Sequence, residues 1–318
     1  MHIKSKLPAT LAMCCIPLLL SVSESTKTTE VSAETTGVHA KQPARSKAKN
    51  MKLVWHDEFN KNRLDTTVWN IETYGNGSGN NELQHYSSRG VSLGREPKSG
   101  AKCLILTARC ERYGNHEFTS GRINTQGKMT ISHGIVEARI KLPQTANGLW
   151  PAFWLLGNNY RECGWPRCGE IDILEMGNRD AIEQKRQTTL FNGACHWGYY
   201  NSKGQYPNVF KAHDNEYSLQ DGEFHTFTLE WDNNSLKMYV DRYRNSEAKP
   251  YFSLDIADKS TELAAGNYFH HDFFIIFNLA VGGEFTGITQ PSLITALEEG
   301  EEAKMYVDWV RVYENKNK

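Results

Sequence analysis

The sequence predicts an all-β domain, a sandwich or a barrel, on three observations. Short runs rich in β-branched and aromatic residues recur between Gly, Asn and Pro turns. Within Ile135–Leu142, Val136, Ala138, Ile140 and Leu142 alternate with Glu137, Arg139 and Lys141, so one face is dry and the other wet. Helical spacing is sparse, and Ile294–Lys304 reads as one short turn or an acidic loop. With 318 residues and 39% hydrophobic content the chain can bury a full-sized core. A net charge of −1 and a pI near 6.8 leave no basic patch, which argues against nucleic acid as a partner.

Taken in order, Lys4 and Lys6 precede an apolar run from Leu7 to Val22 that ends in the small-x-small pattern Ser21-Val22-Ser23. Residues 1–23 therefore read as a secretory signal peptide. A membrane anchor is the alternative, but Pro8, Pro17 and the shortness of the run oppose a span. Residues 24–50 are Ser, Thr, Lys, Glu and Ala with almost no large apolar side chain. Such a segment cannot offset its ordering entropy, so a disordered linker is expected there. Residues 51–318 form the domain proper, and we expect a secreted monomer with no stable membrane insertion.

Trp55–Phe59 begins the first strand. Leu104–Arg109, Gly134–Leu142, Phe224–Trp231, Leu236–Asp241, Phe273–Val281 and Met305–Tyr313 also read as strands. Phe273–Phe277 is continuously apolar, as in a strand covered on both sides. Asn80, Glu82 and Gln84 alternate on one face, which suits hydrogen bonding to hydroxyls or a solvated edge. Five cysteines remain beyond the leader: Cys103, Cys110, Cys163, Cys168 and Cys195. The odd number leaves at least one without an intrachain partner. Cys163 and Cys168 bracket a Gly-Trp-Pro loop, where a disulfide would stiffen the chain.

The stretch Gly169–Met176 carries the chemistry. Ile171 and Ile173 alternate with Glu170 and Asp172, so the two carboxylates share one strand face. Strict alternation would send Glu175 into the core. A β-bulge in which Ile173 and Leu174 occupy one pleat position returns Glu175 to the acidic face. Three clustered acids repel and raise at least one pKa. Glycoside hydrolysis needs such a pairing, one carboxylate to attack and one acid to protonate the leaving oxygen. An ordinary solvated strand face is the alternative. Upstream lie Trp150, Trp154 and Trp165, two of them beside Pro and Gly, as on a cleft wall suited to flat sugar faces.

These segments resemble glycoside hydrolase family 16, in particular its laminarinase-like (endo-β-1,3-glucanase) branch. The matching stretches are Trp55–Phe59, Asn80–Gln84, Ser120–Asn124, Gly148–Trp154, Gly169–Glu175, Asn278–Gly283 and Tyr306–Tyr313, in the family's order. The resemblance implies a two-sheet jelly-roll sandwich of the concanavalin A-like lectin/glucanase type with a concave substrate cleft. It implies an endo-acting, retaining hydrolase of β-1,3-glucan, with Glu170 as nucleophile, Glu175 as general acid then base, and Asp172 between them. Mixed-linkage β-1,3/1,4-glucan, agar or carrageenan, transglycosylation, and non-catalytic glucan binding are the alternatives.

Asn80, Arg122, Trp150, Trp154, Trp165 and His196 are the expected sugar contacts. His196 is placed beside Glu175, where it would tune that proton; Asn278 is a weaker candidate. Four pleat steps put the α-carbons of Glu170 and Glu175 roughly 13 Å apart, so their side chains must lean together. Asp308 shares a strand face with Tyr306, Val310 and Val312, an apolar setting that demands an Arg or Lys partner or a hard cation. The resemblance implies structural Ca²⁺ held by Glu58, Asp308 and a carbonyl near Gly100, with no cofactor for catalysis. Long segments at Tyr199–Asp221 and Tyr251–His271 depart from the shortest family members and would reshape the cleft ends.

Overall fold

The computed structural model describes residues 51–244 and 247–316; the expected signal peptide and linker lie outside them. The first strands are β1 (Met51–Asp57), β2 (Asn70–Ile71), β3 (Gln84–Tyr86), β4 (Val91–Arg95), β5 (Lys102–Tyr113), β6 (His116–Ser120) and β7 (Arg122–Asn124). Then come β8 (Gly134–Lys141), β9 (Leu149–Gly157), α1 (Tyr160–Cys163), β10 (Glu170–Met176), α2 (Arg179–Glu183), β11 (Leu190–His196) and β12 (Asn208–Asp214). The chain closes with β13 (His225–Trp231), β14 (Ser235–Val240), β15 (Phe252–Asp255), β16 (Phe273–Val281) and β17 (Glu302–Asn315). Of Ile294–Lys304, residues 294–301 are the acidic loop, one of the two readings of the sequence, and Glu302 already begins β17.

The strands form two sheets. A ten-stranded sheet runs β15-β14-β13-β8-β17-β5-β6-β3, with β1 beside β17 and β4 beside β5. A seven-stranded sheet runs β12-β11-β10-β9-β16-β7-β2. The alternation in β8 sends Val136, Ala138 and Ile140 into the core between the sheets, against Phe153, Leu155, Ile171, Phe273, Ile275 and Phe277 of the second sheet. Fully burying one such Phe contributes roughly 1.5–3 kcal/mol. All nine residues of β16 are buried. Its other face is covered too, because Phe274 and Ile276 join Leu156 and Cys168 in a small cluster on the outer side of the seven-stranded sheet.

Two expectations are corrected. Cys163 and Cys168 are not bridged, and all five cysteines of the domain are free thiols. Cys163 ends α1 with its thiol toward the Asn159 carbonyl at 3.4 Å, whereas Cys168 is buried in the small apolar cluster. Asp308 does not share the core face of Val310 and Val312. Between Val307, opposite Ile140, and Trp309, opposite Arg139, β17 carries one extra residue, which is Asp308. Asp308 stays on the outer face with Tyr306, where it pairs with Arg139 at 2.5 Å, and the extra residue lets Val310 and Val312 turn inward.

Candidate active site

Strand β10 begins and ends on glycines in the left-handed region, Gly169 (φ 74°) and Gly177 (φ 96°). A Cβ at Gly169 would press on Phe273 and the Tyr268 carbonyl, both at 2.8 Å, so only glycine fits this entry. Along β10, Asp172 faces Trp154 of β9, but Leu174 faces Phe153, so Ile173 is one residue too many. On the other side Asp172 faces Ala194 and Glu175 faces Asn192, which repeats the offset. Ile173 and Leu174 are both buried. Glu170, Asp172 and Glu175 thus share the outer face, as the bulge argument requires.

Register extends this face across the sheet. Asp172, Trp154, Ile276 and Asn124 form one cross-strand row; Glu175, Ala152, Asn278 and Arg122 form the next. Above them lies an open cleft of about 610 Å³. Its walls include Asn80, Arg122, Trp150, Trp154, Trp165, Asn278 and the three acids, so these candidates come together. Arg122 pairs with Glu72 at 2.8 Å and lies 5.0 Å over the Trp154 ring. The Trp154 indole donates to Asn278 Oδ1 at 2.7 Å, which locks its plane. Trp150 stacks on Phe285 with centroids 4.6 Å apart. Its buried N–H faces Glu175, where, with the His196 charge, it opposes the rise that burial and the Asp172 charge impose on that group's pKa.

His196 sits elsewhere than expected. It pairs in register with Glu170, and its Nε2 lies 3.4 Å from Asp172 and 4.0 Å from Glu170. The reason is the antiparallel return: the end of β11 meets the start of β10, the end away from Glu175. Tyr206, from the long segment after β11, meets His196 Nδ1 at 3.2 Å and packs edge-on to Trp165 at 4.8 Å. Sequence reasoning missed Tyr206, Glu72 and Tyr74, a cleft-lining ring under Arg122 at 6.0 Å; only the Glu72–Arg122 charge complementarity gave any signal.

Electrostatics follow from burial. Desolvation pushes the Glu170 carboxyl up to about 8; the Asp172 charge adds to this, while His196, Arg122 and the Trp165 indole oppose it. Burial also holds Asp172 and Glu175 well above their usual values. The trio therefore carries fewer than three negative charges near neutrality. Glu170, Asp172 and His196 present ligand atoms within 4.8 Å of one another. Glu170 and Asp172, both biased toward their neutral forms by burial, can share protons across this cluster. By register Glu170 and Glu175 stand opposite Leu156 and Ala152, four positions apart along β9, so their carboxyls approach only by leaning over Asp172.

Asn80 reaches the cleft from a turn rather than a strand, and the amides after it are not a solvated edge. The Gln84 amide donates to Glu82 at 2.6 Å, the Tyr86 hydroxyl donates to the same oxygen at 3.0 Å, and Gln84 Oε1 accepts from the Val281 N–H at 2.6 Å.

The expected calcium ligands meet arginines. Arg311 grips Glu58 through two hydrogen bonds of 2.8 Å, Arg139 pairs with Asp308, and Arg95 donates to the Gly100 carbonyl at 2.6 Å. All three expected ligand residues thus already face guanidinium groups, which suits the ion-pair alternative.

A family model described as "Glycosyl hydrolases family 16" matches residues 98–254, and one described as "Beta-glucan synthesis-associated protein SKN1/KRE6/Sbg1" matches residues 8–168. The chain is 36% identical over 244 residues to a glucan endo-1,3-beta-glucosidase of Cryptopygus antarcticus, covering 74% of this chain and 82% of that one. It is 33% identical over 283 residues to glucan endo-1,3-beta-glucosidase A1 of Niallia circulans, covering 83% of this chain. There it spans only 38% of the relative's length. A family 16 enzyme of the Bacteroides ovatus mixed-linkage glucan locus, solved with a G4G4G3G product, superposes with a TM-score of 0.71 at 40% identity. That match covers 82% of this chain and all of the solved one.

Proposed function

The chain belongs to glycoside hydrolase family 16, and from that premise we propose a secreted, endo-acting, retaining β-glucanase. The observation that carries this reading is the extra residue at Ile173, which puts Glu170, Asp172 and Glu175 on one face of an open cleft. A Glu170 oxygen bonds to the anomeric carbon as the glycosidic C–O bond breaks, and Glu175 gives its proton to the leaving oxygen. Glu175 then takes a proton from the water that releases the sugar from Glu170. Asp172, the most buried of the three at 4% exposure, lies between them in sequence and raises the pKa of both by its charge. The Asp172 charge helps Glu175 keep its proton before attack, while His196, Arg122 and the Trp165 indole favour the ionised nucleophile.

The substrate is a neutral glucan. Arg122 is the cation among the described cleft-lining residues, and Glu72 already neutralises it, leaving little to bind the sulfate of a carrageenan. Laminarin-type β-1,3-glucan is the first reading. Mixed-linkage β-1,3/1,4-glucan is the second, favoured by the likeness to the Bacteroides ovatus enzyme. Incubation with laminarin, lichenan, agarose and carrageenan, with Glu170→Gln as control, tests both. Short oligosaccharides that retain anomeric configuration at first turnover are the expected outcome. Inverted products, lengthened chains or no change would each overturn the reading.

A further inference from the structure

We infer that Tyr251, which lies outside the cleft, is a positioning residue that holds the bulge delivering Glu175; this rests on the function proposed above. An extra residue in one strand leaves backbone groups without ladder partners. A buried carbonyl left without a donor is costly, because it gives up its hydrogen bonds to water and gains none in return. Ile173 is that extra residue, and its buried carbonyl accepts a hydrogen bond from the Tyr251 hydroxyl.

The strand opposite makes room for this contact. Gly193 lies between Ala194, the partner of Asp172, and Asn192, the partner of Glu175, and so stands across from the bulge. A Cβ at Gly193 would stand 2.9 Å from Tyr251 Cε2 and 3.0 Å from the Met238 sulfur. Glycine there leaves the space the tyrosine ring fills. Phe191 packs edge-on to that ring at 4.8 Å and His213 lies at 5.7 Å, so the hydroxyl has a fixed aim from the core side. Burial holds the Tyr251 hydroxyl well above its usual pKa, so it remains a donor. The extra residue, the glycine across from it and the hydroxyl beneath it act together. Without the hydroxyl the bulge keeps an unsatisfied carbonyl, and Glu175 loses its fixed aim at the leaving oxygen.

Tyr251→Phe tests this. A dinitrophenyl β-laminaribioside needs no proton on its leaving group, and azide attacks the glycosyl-enzyme without a general base, so this pair bypasses Glu175. The expected result is a fall in laminarin kcat of about 10- to 100-fold with KM almost unchanged. The dinitrophenyl rate with azide should stay within about threefold of wild type. Gly193→Ala, which displaces the ring while keeping the hydroxyl, should give the same split and serves if Tyr251→Phe fails to fold. Laminarin kcat unchanged in a folded variant, or both rates falling in parallel, overturns the clamp. A wild-type chain inactive on laminarin and lichenan overturns the function itself, and the clamp's catalytic role with it.

Discussion

Strand β10 carries its extra residue at Ile173, between Asp172 and Glu175; strand β17 carries one at Asp308. In both, a single insertion leaves a carboxylate on the outer face and its apolar strand neighbours in the core. The neighbours then differ. Asp308 meets Arg139, and Glu58 on the adjoining terminal chain meets Arg311. Burial works against ionisation of Glu58, yet Arg311 and His56 hold its pKa below the usual value. In the cleft no lysine or arginine pairs directly with Glu170, Asp172 or Glu175 among the described residues. Burial therefore wins there, and all three pKa values rise. The same backbone device yields a structural ion pair in one place and proton chemistry in the other, according to whether a cation stands opposite.

The largest test of this contrast is substitution. Glu170→Gln should cut kcat on glucan by about 10⁴-fold or more, and Glu175→Gln by about 10²- to 10⁴-fold. Glu58→Gln should leave kcat unchanged in the same assay. If Glu58→Gln lost activity as Glu170→Gln does, the two regions would not be functionally separate.

Stability against pH sharpens the contrast further, since the two regions have opposite signs. The Glu170 pKa is raised from 4.5 to about 8, so the folded state holds more protons than the unfolded chain between those values. Stability from this group is full below pH 4.5 and is lost as pH rises toward 8. Glu170→Gln should therefore melt several °C higher than wild type at pH 9 and match it near pH 4. Glu58 has a lowered pKa, so its contribution is present above 4.5 and is lost as pH falls through the folded value. The Glu58→Gln deficit should accordingly shrink on acidification. Activity carries the same mark: the rising limb of kcat/KM should lie above the ordinary carboxylate range, displaced toward pH 8.

Smaller effects remain. Breaking the partly exposed Glu58–Arg311 pair should cost about 1 kcal/mol in urea unfolding at pH 7. Chelator or added Ca²⁺ should move the melting temperature by less than about 1 °C, as the arginine-faced oxygens require. A rise of several degrees with Ca²⁺ would restore the metal.

Much was legible in the order of residues because strand periodicity is local. The alternation of Val136, Ala138 and Ile140 and the solid apolar run of Phe273–Phe277 specify which faces are buried, whatever the partner strand. The acidic octet specified its own bulge as well, since every regular register would bury Glu175. Asp308 offered no such warning. A lone aspartate among valines is equally consistent with a buried partner, a metal or an irregularity, and only the pairing of β17 with β8 shows which. His196 and Tyr206 were misplaced or missed because their distance from the acids depends on how β11 returns along β10.

Pattern alone thus determined an all-β sandwich or barrel and the common face of Glu170, Asp172 and Glu175, because those follow from side-chain period and from the cost of burying charge, while the two-sheet jelly roll and the roles of the acids came from the family resemblance. Tertiary structure decided what stands opposite each carboxylate: guanidinium at the terminal strands, imidazole and indole in the cleft, and a tyrosine hydroxyl beneath the bulge. Those neighbours come from segments tens to hundreds of residues away, and the Coulomb and desolvation energies they set depend on distances that no linear order of residues contains.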